Sequence, residues 1–158
     1  ANRIEEINLP KIKTVMYAKG HYYLYKKKNP FKHLIYPLPN SNGHGIHAGM
    51  DIENNLRFGP NAKWVESIEY SFDENTLEEF CNSIKSYWVN FDPSCLSPDY
   101  TGIRSKIVAE GEGSQDFEIL DASDHGLENL IHLQGIDSPG LTSSLSIAAE
   151  VISKLGIH

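Results

Sequence analysis

The 158-residue chain is long enough for one domain with a substantial core and too short for two ordinary ones. A hydrophobic content of 40% with 10% aromatics excludes disorder as the organising state, and a net charge of −7 argues against the basic face that nucleic-acid binding requires. Cys81 and Cys95 fit neither a metal nor a disulfide framework, and no apolar run approaches the roughly 18 residues of a membrane span. No signal peptide is visible, and the opening "ANRIEEINLPKIKTV" lacks Met, as a piece of something larger would. A reducing, cytoplasmic compartment is expected, with peripheral membrane association as the alternative.

In chain order, "KTVMYAKGHYYLYKK", 13 to 27, is rich in Val and Tyr and predicts one or two strands broken at Gly20. The basic run Lys26-Lys27-Lys28 precedes Asn-Pro and reads as a solvated turn. "HLIYPLPN", 33 to 40, predicts a short strand stopped by two prolines. "NGHGIHAGMDI", 42 to 52, begins as a glycine-rich turn and continues into a strand with Ile46, Ala48 and Met50. "NNLRFGPNAKWVES" predicts a turn, a strand and a Gly-Pro turn.

A helix follows over about 74–89, where Leu77, Phe80, Cys81, Ile84, Tyr87 and Trp88 recur at helical spacing. Thr76 with Glu79 offers a capping box, or Asp73 caps one turn earlier. "FDPSCLSPDYTG" reads as a proline-rich loop, "GIRSKIVAEGEG" as a strand running into an acidic turn, and "DFEILDASDHG" with "ENLIHLQG" as a hairpin or adjacent strands. The last element is a helix with Ser138 at the cap, Pro139 in the first turn and Gly156 after its end. Its expected stripe is Leu141, Leu145, Ala148, Ile152 and Leu155. Runs of strands with segregated helices give an α+β class. No G-x-G-x-x-G occurs, so an autonomous Rossmann nucleotide site is absent from the sequence.

Some residues carry chemistry in this pattern. "GIDSPGLTSS", 135 to 144, runs from a strand into the last helix, whose first N–H groups are unpaired and carry the positive end of its dipole. With Gly135 and Gly140 nearby, such a terminus suits an anion or an electron-rich carbonyl; alternatively the glycines only allow close strand-to-helix packing. Arg104, beside Gly102 in an apolar stretch, calls for a carboxylate, either internal or from a substrate held bidentately. His44 and His47 form H-x-x-H, but three-apart side chains on a strand face opposite sides and no third ligand is spaced convincingly, so no metal is expected. His47 is either a satisfied core side chain or a general base, since imidazole ordinarily titrates near neutrality. Tyr36, Tyr22 and Tyr100 read as core or interface residues or as pocket hydroxyls, and Tyr36 is carried forward as a substrate-binding candidate.

As an ordered set, "YAKGHYY", "PFKHLIYPLP", "GIHAGMD", "RFGPNAKWV", "PDYTGIRSKI" and above all "GIDSPGLTSSLSIAAEV" resemble the C-terminal half of FAD-dependent oxidoreductases of the D-amino-acid oxidase superfamily. The branch resembled is the L-2-hydroxyglutarate dehydrogenase/oxidase group, and the resemblance runs from about Lys13 to Leu155. It implies a substrate-binding domain over 1–100, an antiparallel or mixed sheet with flanking helices, followed by a return segment over 101–158 that completes an FAD domain. It also implies that Gly135, Ile136, Ser138, Pro139, Gly140, Leu141 and Thr142 meet the pyrimidine edge of the flavin. Arg104 would hold the carboxylate of a small 2-hydroxy acid, and His47, matching the histidine of the family's Gly-Val-His, would be the base. A hydride would then leave the hydroxyl-bearing carbon for the flavin while the base takes the hydroxyl proton.

Three departures from the family pattern stand out. Ser105 replaces a usual Pro after the arginine, Asp137 replaces a usual Glu, and the N-terminal half with the dinucleotide fingerprint is missing. The last implies weak or absent FAD binding by this chain alone and a companion chain carrying the other half. The competing expectation is a non-catalytic remnant or interaction module.

Overall fold

The computed structural model describes residues 12–38, 45–113 and 115–157, and these combine short helices with antiparallel sheets in an α+β arrangement. They divide into two compact units: Ala18–Arg104, and the chain up to Tyr17 together with Ser105 onward.

The first unit is built on strand β1 (Met16–Tyr25), joined by β2 (Ala48–Met50), β3 (Leu56–Phe58), β4 (Lys63–Val65) and β5 (Leu96–Lys106). The order is β2-β3-β1-β4, with β5 also pairing β1. Antiparallel registers set Tyr23 opposite Phe58, Leu24 opposite Arg57, and Ala48, Gly49 and Met50 opposite Phe58, Arg57 and Leu56. β1 is unbroken, contrary to the expected interruption at Gly20: a Cβ there would stand 2.7 Å from Cβ of Pro60, so the glycine admits a neighbouring turn and does not end the strand. The strand expected over 33–40 reduces, within the described residues, to one bridge between Ile35 and Ala48, as two prolines without N–H donors would dictate. The expected proline-rich loop is largely strand, with β5 starting at Leu96 after a single 3₁₀ turn (Pro93–Cys95).

Period-two alternation gives this sheet two different faces. Tyr23 and Tyr25 enter a core with Ile46, Ala48, Leu56, Phe58, Phe91 and Cys95. Helix α1 (Leu77–Tyr87) closes that face with Phe80 and Ile84, both fully buried, while Cys81 packs at its margin. Of the two caps considered, Asp73 is used: its carboxylate accepts the Asn75 N–H at 3.0 Å at a 3₁₀ turn (Glu74–Thr76), and Thr76 makes no side-chain cap. The Thr76 hydroxyl instead donates to the Asp73 carbonyl (2.7 Å), leaving Tyr23 to donate its O–H to Thr76 Oγ1 (3.0 Å). This chain ties the start of α1 to the centre of the sheet.

His21 also lies on the α1 side, 1% exposed, with its ring edge-on to Phe72. Asn61 Oδ1 receives both the His21 backbone N–H (2.9 Å) and Nδ1 (3.1 Å), and Nε2 has no hydrogen-bond partner among the described residues. The ring is thus the neutral Nδ1–H tautomer. Burial pushes its pKa below the ordinary 6.5; Asn61 partly opposes this, and Lys19 and Lys63 reinforce it. The unfolded chain binds the proton more tightly, so this contribution to stability is complete above about pH 6.5 and declines as the pH falls below it. The expected result is a lower urea midpoint at about pH 5 than at about pH 7.5, with a smaller drop in His21→Gln. Equal pH dependence in both proteins would refute it.

In the second unit, β6 (Glu118–Leu120) pairs antiparallel with β7 (His132–Gln134), as the expected hairpin or adjacent strands require. A short helix α2 (Ala122–His125) joins them, with a reciprocal cap between Asp121 and Asp124 and Gly126 in the left-handed region at its end. Glu118 gathers Lys13 Nζ (2.5 Å) and Gln134 Nε2 (2.5 Å), and Gln134 Oε1 accepts the Lys13 N–H (3.1 Å). Helix α3 (Ser144–Leu155) begins five residues after Pro139, not at it, and is capped by left-handed Gly156. None of its residues is buried, and most of the expected apolar stripe is exposed: Leu141, just before the helix, and Leu145 are 91% and 85% exposed, while Leu155 is half-buried.

Candidate functional site

On the sheet face opposite α1 lies a cleft of about 160 Å³ bounded by Tyr22, Gly49, Asp51, Arg57 and Tyr100. Its floor is explained by register: Gly49 opposite Arg57 leaves room for the guanidinium to lie along the sheet. Arg57 Nη1 reaches Asp51 Oδ2 at 3.0 Å and Nε reaches Asp99 Oδ2 at 2.6 Å. Asp51 is itself fixed by the turn after β2, accepting the Glu53 and Asn55 N–H groups (2.9 and 2.8 Å) and the Asn55 amide (3.0 Å). These bonds, the Asn55 ones foremost, hold its carboxyl below the usual range.

Two stacked phenols form the wall. Tyr22 and Tyr100 lie 4.4 Å apart at 13°, and the Arg57 guanidinium stands 5.8 Å from the Tyr100 centroid. Tyr100, Gly102 and Arg104 alternate on β5 and so share a face, and a Cβ at Gly102 would meet nothing within 4 Å. Burial and then Tyr100 raise the Tyr22 pKa, and the Arg104 guanidinium beside the hydroxyl holds that rise back.

The candidates from sequence divide between the units. Arg104, His47 and Tyr36 all belong to the first. Arg104 is exposed, not enclosed in an apolar stretch. His47 stands just before β2 and is half-buried, which sets aside a core role; the Gly59 N–H donates to its carbonyl (3.0 Å). Its ring lies 4.4 Å from that of Tyr36, which is 63% exposed, so these two predicted residues do meet. His44 lies outside the described residues. Among the described residues no group of three or more His, Cys, Asp or Glu could hold a metal ion, and no helix is long and apolar enough to cross a membrane.

The 135–142 segment belongs to the second unit and needs correction. Its residues form a turn before α3, and not the helix's own first turn. Both glycines serve internal packing: a Cβ on Gly135 (φ +71°) would lie 2.6 Å from Ile107 Cδ1, and one on Gly140 would lie 2.7 Å from the Asp137 carbonyl and from Ile136 Cγ2. That carbonyl also takes the Gly140 N–H (2.5 Å), and Pro139 O takes that of Ser143 (3.0 Å). Asp137 is anchored by an ion pair with Lys106. Gly140 therefore shapes the turn and donates inward. The amides of Leu141 and Thr142 find no backbone acceptor among the described residues, and both residues are exposed. N–H groups without a backbone acceptor at the approach to a helix are donors of the kind that an electron-rich carbonyl edge accepts from.

Sequence reasoning missed Arg57, Asp51 and Asp99. The available signal was "MDIENNLRF", an aspartate and an arginine bracketing a turn, but Asp99 joins them only through the pairing of β5 with β1.

A family profile described as FAD dependent oxidoreductase (DAO) matches residues 3–154. The chain is 32% identical to the mitochondrial L-2-hydroxyglutarate dehydrogenase of Arabidopsis thaliana, over 98% of this chain and 34% of that protein. It is 30% identical to glycerol 3-phosphate oxidase of Mycoplasma genitalium, over 88% of this chain and 36% of that protein. With glycerol 3-phosphate dehydrogenase of Caloramator mitchellensis it shares 29% identity, over 87% of this chain and 28% of that protein. The chain thus spans about a third of the length of these relatives.

Proposed function

Because the chain belongs to the DAO family of FAD-dependent oxidoreductases, we propose that it forms the substrate-binding part and the closing segment of an enzyme oxidising a small 2-hydroxy acid, as L-2-hydroxyglutarate is. The observation that carries this reading is Arg104, presented by β5 on the open face beside Tyr22, where a guanidinium fork can take a carboxylate bidentately. Bound FAD supplies the two-electron acceptor of the reaction.

The chain's own residues do the rest. Arg104 binds the substrate carboxylate. Tyr36, exposed beside His47, contributes to the substrate pocket. His47 accepts the hydroxyl proton at a ring nitrogen. The amides of Leu141 and Thr142 would hold the cofactor, on a turn shaped by Gly135, Ile136, Ser138, Pro139 and Gly140. In this assignment Ala18–Arg104 is the substrate-binding unit, and Ser105 onward returns to the cofactor-binding part. The exposed apolar stripe of α3 is the surface on which that part, or a companion chain carrying it, would close.

The test is anaerobic reduction of the chain combined with a chain carrying the nucleotide-binding half and loaded with FAD, followed by loss of the flavin absorbance. L-2-hydroxyglutarate is expected to bleach it, and glycerol 3-phosphate is not. Bleaching by glycerol 3-phosphate alone, or by neither compound, would overturn the substrate assignment. In the same assay Arg104→Lys keeps a charge but loses the planar fork, and is expected to raise the KM for the hydroxy acid by roughly 10²-fold with a smaller change in kcat. An unchanged KM would remove Arg104 from the site.

A further inference from the structure

We propose that one end of the Ala18–Arg104 unit docks on an anionic phospholipid bilayer. The inference does not depend on the substrate assignment. Three segments meet at this end: 26–34 after β1, the turn 51–55 between β2 and β3, and 88–95 after α1. The Lys26 N–H donates to the Cys95 carbonyl (2.9 Å), and Asn29 Nδ2 donates to Asn54 Oδ1 (3.1 Å). The Trp88 ring packs 5.1 Å from those of both Tyr25 and Phe31.

Two of these segments carry an aliphatic side chain at the tip of a fixed turn. Asp51 accepts the Glu53 and Asn55 N–H groups and Asn54 is left-handed at φ +66°, which leaves Ile52 104% exposed. The Phe91 N–H closes a turn onto the Trp88 carbonyl (3.1 Å), which leaves Val89 91% exposed. Turn chemistry favours polar residues at such positions, and neither side chain belongs to the core cluster. A single exposed aliphatic residue is ordinary; what marks these two is the charge around them. Lys26, Lys28 and Lys32 in the first segment, and Lys85 in the last turn of α1, have no carboxylate partner among the described residues. Every other described lysine is paired with one, in a chain of net charge −7. The acidic groups nearby are engaged: Asp92 with Lys27 (2.7 Å), Asp51 with Arg57 (3.0 Å) and Glu53 with the Asn55 amide (3.3 Å).

Folding gains nothing from this arrangement, because the cations repel one another and the aliphatic groups stay wet. An anionic bilayer satisfies both features. Each lysine near its surface strengthens binding about fivefold, and protruding aliphatic tips enter the headgroup layer without a matching pocket. β5 runs from Leu96 at this end to Arg104, roughly 26 Å away along an extended strand, so a bilayer here leaves Arg104 clear.

The test is flotation of the whole chain with vesicles of phosphatidylcholine, alone or mixed with phosphatidylglycerol, at about 0.1 M and about 0.5 M salt. The chain is expected to float only with the anionic vesicles and to be released at the higher salt. The triple variant Lys26→Gln, Lys28→Gln, Lys32→Gln should bind about 10²-fold more weakly. Ile52→Asn with Val89→Asn should cost about 10-fold, and both variants should keep the wild-type urea midpoint. Equal flotation with neutral vesicles, no flotation, or wild-type binding by the triple variant would overturn the proposal. So would loss of flotation once a chain carrying the nucleotide-binding half is added, or a dimer in sedimentation that Ile52→Asn breaks up, since each puts protein on this end. Binding to polyglutamate but not to vesicles would also overturn it, and would assign the lysines to an acidic protein.

Discussion

His47→Gln in the FAD-loaded enzyme is expected to lower kcat by about 10²- to 10⁴-fold while moving KM far less. The imidazole can take the hydroxyl proton and a carboxamide cannot, yet Gln fills similar space and keeps a hydrogen-bonding head. The position supports the role through its rigidity. The His47 carbonyl is tied to the Gly59 N–H, and the next three residues are registered against β3, so the Cα is held at the sheet edge. The ring lies against Tyr36 at 4.4 Å and 57°, half-buried, which limits its rotamers. Steady-state kinetics with the hydroxy acid, together with the pH profile of kcat/KM, checks the claim. A general base should leave its ionisation in the wild-type profile, and that limb should vanish in His47→Gln. A variant within a few-fold of wild type, with the limb retained, would move the proton to another group.

Much of this arrangement was legible in the sequence because it is local. The spacing of Phe80 and Ile84 requires a helix with one buried face, and both side chains are fully buried. The Val- and Tyr-rich stretch around Tyr23 forms the central strand for the same kind of reason: period two, with aromatic residues. The errors fall where a distant contact decides. Gly20 looks like a strand breaker until Pro60 is seen against it, and Pro98 looks like a loop residue until β5 is seen paired with β1. At 135–142 the glycine-rich spelling matched two different causes. Sequence alone could not show that the Gly140 N–H turns inward and is bonded to Asp137 O, 2.5 Å away. The Arg57 cluster was invisible for the opposite reason: its three charges come from separate strands and turns, and no spacing encodes their meeting.

Phe80→Ala is expected to destabilise the protein by about 3–5 kcal/mol, measured by urea unfolding. Phe80 is 0% exposed, its ring is 4.7 Å from that of Tyr23, and it belongs to the same cluster as Ile84 and Phe58. Truncation removes the ring's transfer free energy and leaves a cavity that the surrounding aromatic groups, fixed on paired strands, cannot readily collapse into. Typical domains have only about 5–15 kcal/mol in total, so the variant should be near the edge of folding at body temperature. Leu145→Ala provides the contrast: at 85% exposure it should change stability by no more than about 0.5 kcal/mol. The consequence reaches the cleft because β1 alternates. Tyr23 faces α1 and Tyr22 lines the cleft on the open side, so loosening α1 shifts the same backbone that carries the cleft wall. Phe80→Ala should therefore raise the KM for the hydroxy acid even at temperatures where the protein is still folded. A folded Phe80→Ala with wild-type KM would mean that the two faces of the sheet are energetically independent.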